Sequence, residues 1–167
     1  SGTDEALSTD KVYTRSITAN TTIYAVYTAK TSNVTLNPQP GEGGTTFVDA
    51  TTGSAMPDID IPTRHGYTFG GYYDQEAGNG TQYYNERGKS AKDWDKEGDV
   101  TLYAKWTATP YTITYNTNGG NAIANGSYTI EEAFILPTPT KIGSTFEGWF
   151  DNSELTGETI TTIASGS

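Results

Sequence analysis

Internal repetition constrains this chain more than any other feature, because blocks that recur at a fixed interval restrict the fold to small modules in tandem. The run His65-Gly66-Tyr67-Thr68-Phe69-Gly70-Gly71-Tyr72-Tyr73-Asp74 returns as Ile142-Gly143-Ser144-Thr145-Phe146-Glu147-Gly148-Trp149-Phe150-Asp151, 77 residues on. Pro62-Thr63 and Pro139-Thr140 precede the two runs at the same distance. A second block, Thr22-Ile23-Tyr24-Ala25-Val26-Tyr27-Thr28, returns as Thr101-Leu102-Tyr103-Ala104-Lys105-Trp106-Thr107, and a third, Val34-Thr35-Leu36-Asn37, as Ile113-Thr114-Tyr115-Asn116, both with an offset of 79. A weaker match joins Thr3–Leu7 to Asp151–Leu155, roughly two periods apart. The expected organisation is therefore the tail of a first copy over residues 1–29, a complete copy two over 33–108, and a copy three over 110–167 that stops before its own version of the Leu102–Trp106 strand. Copy three should then show an open sheet edge. The spare Thr22–Tyr27 strand should be frayed, or paired with a neighbouring molecule or in a permuted arrangement.

Alternation inside copy two reads as half-buried strands over Val34–Leu36, Thr45–Val48, Tyr67–Tyr73, Gln82–Tyr84 and Val100–Trp106. Turns fall at Gly41–Gly44, Asn79-Gly80, Glu97–Asp99 and Asn118–Gly120. Helical signal is confined to Ile130–Phe134, where a short helical turn could bridge two strands. Phe69, Tyr72, Trp94 and Trp106 are the expected core of copy two, with Phe146 and Trp149 as counterparts in copy three. The linkers Thr28–Ser32 and Thr107–Pro110 are too short for free flexing, so the copies should form a semi-rigid string.

The signature Ile113-Thr114-Tyr115-Asn116, then Asn118-Gly119-Gly120, a Pro-Thr pair, Gly-x-Thr-Phe-x-Gly-[Tyr/Trp]-[Tyr/Phe] and finally Thr-Leu-Tyr-Ala-x-Trp resembles the Listeria-Bacteroides repeat, also known as the B repeat of internalins. The resemblance covers nearly the whole chain. It implies a β-rich α+β class, with tandem ubiquitin-like β-grasp modules and little helix, strung in secreted or surface-attached bacterial proteins with spacer and adhesive roles. It brings no catalytic residues and no cofactor. Copy two departs from the pattern with Asn37-Pro38-Gln39-Pro40 in place of Asn-Gly-Gly and with Tyr72 where Trp is usual. These departures should perturb a loop and a core contact and leave the fold intact.

Other function classes find little support. A net charge of −10 repels phosphate backbones and anionic lipid heads, which argues against nucleic acid and membrane surfaces as partners, and no window approaches the roughly 18–20 apolar residues that membrane insertion by this segment would need. The absence of cysteine removes disulfides and thiolate chemistry. His65 is the only histidine and becomes Ile142 in the next copy, so it reads as loop filler and not as a shared catalytic base. Asp93, Asp95, Glu97 and Asp99 echo the start of a calcium loop, but the twelfth position is Ala104 and lacks the closing carboxylate. A polar turn is the plainer reading. Lys89, Lys92 and Lys105 could enter isopeptide bonds, though no spacing selects one. Tyr73, Tyr83, Tyr84 and Tyr103 are candidates for an exposed aromatic platform that would take a glycan or a host or cell-surface protein, against ordinary strand filler as the alternative. The expected function is a non-catalytic stalk and adhesive repeat of an extracellular bacterial protein, touching neighbouring repeats of the same protein, with a specific binding module as the alternative.

Overall fold

The computed structural model describes residues 16–166. Copy two is built on five strands: β1 (Thr31–Asn37), β2 (Phe47–Thr51), β3 (Tyr67–Tyr73), β4 (Gln82–Tyr84) and β5 (Val100–Ala108). Their order in the sheet is β2-β1-β5-β3-β4. Alternation dictates which face each residue takes: along β1, Ser32, Val34 and Leu36 are buried while Thr31, Asn33 and Thr35 are exposed. β1 pairs β2 antiparallel, with Val34 opposite Val48. The first and last strands lie side by side and parallel, with Val34 opposite Val100 and Leu36 opposite Leu102. A parallel pair cannot be joined by a tight turn, so the whole of β2, β3 and β4 is the crossover between them.

No α-helix among the described residues covers the sheet. The described residues hold one helical element, a 3-10 turn at Glu76–Gly78. The buried face is closed by loops instead: Met56, Ile59 and Trp94 drop onto Val34, Leu36, Val48, Phe69, Tyr72, Leu102 and Ala104. Of the expected core, Phe69, Tyr72 and Trp94 are buried and Trp106 packs half-buried against the rest. The Trp106 indole donates to the Pro38 carbonyl (3.0 Å), so the Asn37–Pro40 departure still meets the last strand. The turn it makes is shared with copy three. Asn37 accepts from the Gln39 N–H as Asn116 does from Asn118, and the Gly41 N–H reaches Pro38 O as Gly120 reaches Thr117 O.

Copy three is sparser. β6 (Tyr111–Ile113) pairs β7 (Gly126–Tyr128), and β8 (Phe134–Ile135) pairs β9 (Thr162–Ile163). Among the described residues no strand lies beside β6 where β5 lies beside β1. Phe146 is 37% exposed where Phe69 is 6%. The short helix expected at Ile130–Phe134 does not form. Five residues give too few hydrogen bonds to repay nucleation, and the Ile130 side chain is drawn against Gly66 of copy two. Of copy one, residues 16–30 form no strand, and Ile23, Tyr24, Val26 and Tyr27 are 78–92% exposed. Residues 1–15, including the Thr3–Leu7 match, lie outside the described residues, as does Ser167.

Trp149 and its counterpart Tyr72 are anchored differently. In copy three the Trp149 indole donates to Pro137 O at 2.7 Å, and Trp149 bridges to Ile160 across the strand. In copy two the buried Tyr72 hydroxyl has no hydrogen-bond partner, while its cross-strand partner Tyr84 donates its hydroxyl to Pro57 O at 2.8 Å. Tyr72→Phe should therefore leave stability unchanged or raise it, while Tyr84→Phe should cost about 1 kcal/mol for the lost hydrogen bond. Urea midpoints of the two variants check this, and the reverse order would refute it.

Candidate functional site

The two faces of the copy-two sheet treat the candidate tyrosines differently. On the outer face Tyr73 of β3 sits opposite Tyr103 of β5, which neighbours Asn37 of β1. Both rings are half-exposed, and the Lys105 ammonium lies 5.5 Å from the Tyr73 ring centroid, a cation–π distance. Phe47, on the same face beside Thr35, is 61% exposed. These residues make a small aromatic row on the open side of the sheet.

Tyr83 and Tyr84 correct the expectation of an exposed platform, since they are 1% and 0% exposed. Adjacent strand residues ordinarily point to opposite faces, but here both faces of the edge strand are covered. Tyr84 packs edge-on to Tyr72 (6.3 Å), while Tyr83 packs at a tilt against Trp94 (5.1 Å) beneath the segment that follows β4. That segment is pinned by Ala91 N–H to Tyr83 O and by the Tyr83 hydroxyl donating to Asp95 (2.6 Å). Burial pushes the Tyr72 hydroxyl up to about 12. It also raises those of Tyr83 and Tyr84, with Asp95 adding to the effect at Tyr83.

The acidic run does not converge on a point. Asp95 pairs with Lys92 and Tyr83, Glu97 with Lys30 (2.9 Å), Asp99 accepts from the Asn33 N–H (3.3 Å), and Asp93 makes a backbone bridge to Ala55. Among the described residues no group of three or more acidic or histidine side chains could hold a metal ion. His65 is exposed in the loop before β3. Lys89 forms an exposed ion pair with Asp58. What the carboxylates do is hold loops. Asp74 accepts from the Thr81 N–H (2.7 Å) and pairs with Lys96 (2.9 Å), closing the loop that carries the 3-10 turn.

This pairing has a pH consequence. The Lys96 ammonium and the Thr81 N–H hold the Asp74 carboxyl below the usual range, as Lys92 and then the Tyr83 hydroxyl do for Asp95. A depressed folded-state pKa stabilises the fold above the unfolded value, about 3.9, and that stabilisation is lost as pH falls through the folded value. The melting temperature should fall between about pH 5 and pH 2, and Lys96→Met should flatten the fall. Parallel curves for the two proteins would count against the role given to Asp74.

The repeats meet at a junction of two residues. Ala108 ends β5 and Tyr111 begins β6, with the Thr109 N–H donating back to Gly66 O (2.9 Å). Ile130 rests on Gly66, and the Tyr67 hydroxyl approaches Glu131 (3.3 Å).

The Listeria-Bacteroides repeat domain model matches residues 33–105 and 111–166. This chain belongs to the Listeria-Bacteroides repeat family. Internalin H of Listeria monocytogenes is 35% identical to it over 126 residues, covering 75% of this chain and 21% of its own length. A protein of Evansella cellulosilytica named as a Gly-rich membrane protein is 28% identical over 149 residues, 86% of this chain and 16% of its length. No solved structure matches the chain. This Listeria-Bacteroides repeat segment thus spans about a fifth or less of the relatives it matches. No helix among its described residues is long and apolar enough to cross a membrane. The blocks that recur between copies of this chain fall on the Phe-x-Gly strand, the Asn-x-x-x-Gly turn and the last strand, which are framework elements. The pairing of Tyr73 with Tyr103 was not visible in the repeat, because copy three puts Phe150 at the first position and the antiparallel register sets the second.

Proposed function

We propose that this segment is a non-catalytic stalk of a bacterial surface or secreted protein, holding other parts of its parent away from the cell and taking part in adhesion. The observation that carries the reading is the two-residue hand-over from β5 to β6, buttressed by Ile130 on Gly66. A linker that short, packed on both sides, fixes the angle between successive modules and makes reach grow with copy number. Membership of the repeat family and the likeness to Internalin H support a bacterial surface setting. The strand order, with first and last strands parallel at the centre, supports a β-grasp assignment in which loop 52–66 takes the place of the usual covering helix.

Cells displaying a reporter binding domain on arrays of this repeat test the stalk. Reporter capture should fall as copies are removed and should be indifferent to Tyr73→Ser with Tyr103→Ser. The exposed Tyr73–Tyr103 and Phe47 row favours one second reading, a module whose outer face binds a glycan or a host protein. If adhesion were lost on the double Tyr replacement at constant array length, that reading would displace the stalk.

A further inference from the structure

The two edges of the copy-two sheet are treated differently. At one, β4 is closed off by its own chain, since the Ala91 N–H donates to Tyr83 O and Ser90 bridges to Tyr84. At the other, β2 is left open. The bonds from Leu36 N–H to Thr46 O and from Thr52 N–H to Lys30 O, with the register between them, place residues 46, 48, 50 and 52 in the hydrogen-bonded pairs with β1. The N–H and C=O groups of Phe47 and Asp49 therefore point away from β1, out of the sheet, and no other backbone hydrogen bond among the described residues takes them up. Their side chains stand on the outer face, Phe47 at 61% exposure and Asp49 exposed beside Asn33. Sheet edges are commonly guarded by lysine. Here residues 31–63 contain no Lys, Arg or His and four carboxylates. Three of these, Glu42, Asp49 and Asp60, are exposed and belong to no ion pair among the described residues.

We infer that the β2 edge of copy two docks an extended segment of a partner protein as an added strand, with a cationic residue set against Asp49 and an apolar one against Phe47. The added strand runs antiparallel, so its residues opposite Phe47 and Asp49 each exchange two hydrogen bonds with β2. Because it runs from Asp49 towards Phe47, it reads from its own N-terminus as Arg or Lys, then any residue, then an aromatic or β-branched one. Charge decides the occupant. A cation on the incoming strand meets the Asp49 carboxylate in a direct cross-strand pair, and it approaches a chain of net charge −10. A second copy of this chain is disfavoured on both counts, since the centred antiparallel pairing of two β2 strands sets Asp49 against Asp49. Copy three has Asn125 and Ser127 at the places of Phe47 and Asp49, so the preference belongs to copy two.

Fluorescence anisotropy of the full chain with short labelled peptides tests this, the probe being a strand of alternating valine and threonine with Arg-Val-Phe at its centre. It should bind saturably, and replacing its Arg by Glu should weaken binding about tenfold, as an attractive pair becomes a repulsive one. Asp49→Lys, at an exposed site that leaves the core untouched, should reverse the order of the two peptides. N-methylation of the peptide at Arg or Phe, whose N–H groups face β2, should abolish binding, while N-methylation at the intervening Val, whose N–H faces away, should be tolerated. Amide hydrogen exchange at Phe47 and Asp49 should slow when the peptide is bound. Failure of the Arg peptide to bind overturns the inference. So does binding that ignores both Asp49→Lys and the position of the N-methyl group, which is unspecific attraction to an acidic chain. If the chain alone self-associates in sedimentation and Phe47→Asp abolishes this, a second copy fills the edge and the inference fails as well.

Discussion

Trp94→Ala should remove a large part of the stability of copy two. The indole is fully buried, packs at a tilt against Tyr83 and lies in a core whose lid is made of loops. Truncating a buried Trp costs roughly 3–5 kcal/mol. At about 0.05–0.15 kcal/mol per residue, a module of this size holds in total only about 4–11 kcal/mol. The loss also propagates. Without the ring, Tyr83 loses its aromatic neighbour, the backbone clasp between Trp94 and residues 53–54 is undermined, and the covering loop detaches from the far side of β4. Urea denaturation followed by far-ultraviolet circular dichroism should show the copy-two transition shifted down by more than about 1 M, given slopes of about 1–3 kcal/mol/M. A midpoint close to the parent's would mean that the loop lid contributes little and that the sheet stands without it. Trp149→Ala, at a half-exposed site, should shift its own transition much less.

Gly71→Ala should be nearly as damaging although it adds one methyl group. Gly71 sits at the irregularity where β3 changes register against β5, with φ +107, and a Cβ there would lie 2.2 Å from the Tyr84 carbonyl oxygen and 2.6 Å from the Gln82 side chain. The backbone conformation alone costs a residue with a side chain about 1–3 kcal/mol, and the clash with a backbone oxygen is relieved only by prising β4 from β3. We expect a loss of about 3 kcal/mol or more. Gly70→Ala is the control: its φ is ordinary and its Cβ would meet only the flexible Lys105 chain at 3.3 Å. If the two variants melt together, the conformational argument is wrong. Copy three makes the same demand, since Gly148 has φ +148 with Thr159 pressed against it. This is why the block reads Phe-x-Gly followed by an aromatic residue.

Much of this was legible in the residues because period-2 burial writes itself into strands such as β1 and β5. Tyr67–Tyr73 and Gln82–Tyr84 fall where alternation placed them. The parallel neighbourhood of β1 and β5 was not legible, since pairing between strands some 60 residues apart leaves no local mark. Tyr83 and Tyr84 defeated the alternation rule because a loop, Asn85–Asp95, supplies a second roof over an edge strand. Ile130–Phe134 looked helical in isolation, and its apolar side chain was instead claimed by the neighbouring copy. The outer-face row of Tyr73 and Tyr103 needed the bulged register of β3 on β5, which no single strand encodes.

The parallel central pair has one more consequence. Chain enters copy two at the start of β1 and leaves at the end of β5, and these two strands are bonded side by side in the same direction. A pull on the ends of an array therefore drags them past one another lengthwise, loading all the hydrogen bonds between them together and not one after another. Such a module resists tension by shear, a property that serves the stalk proposed above.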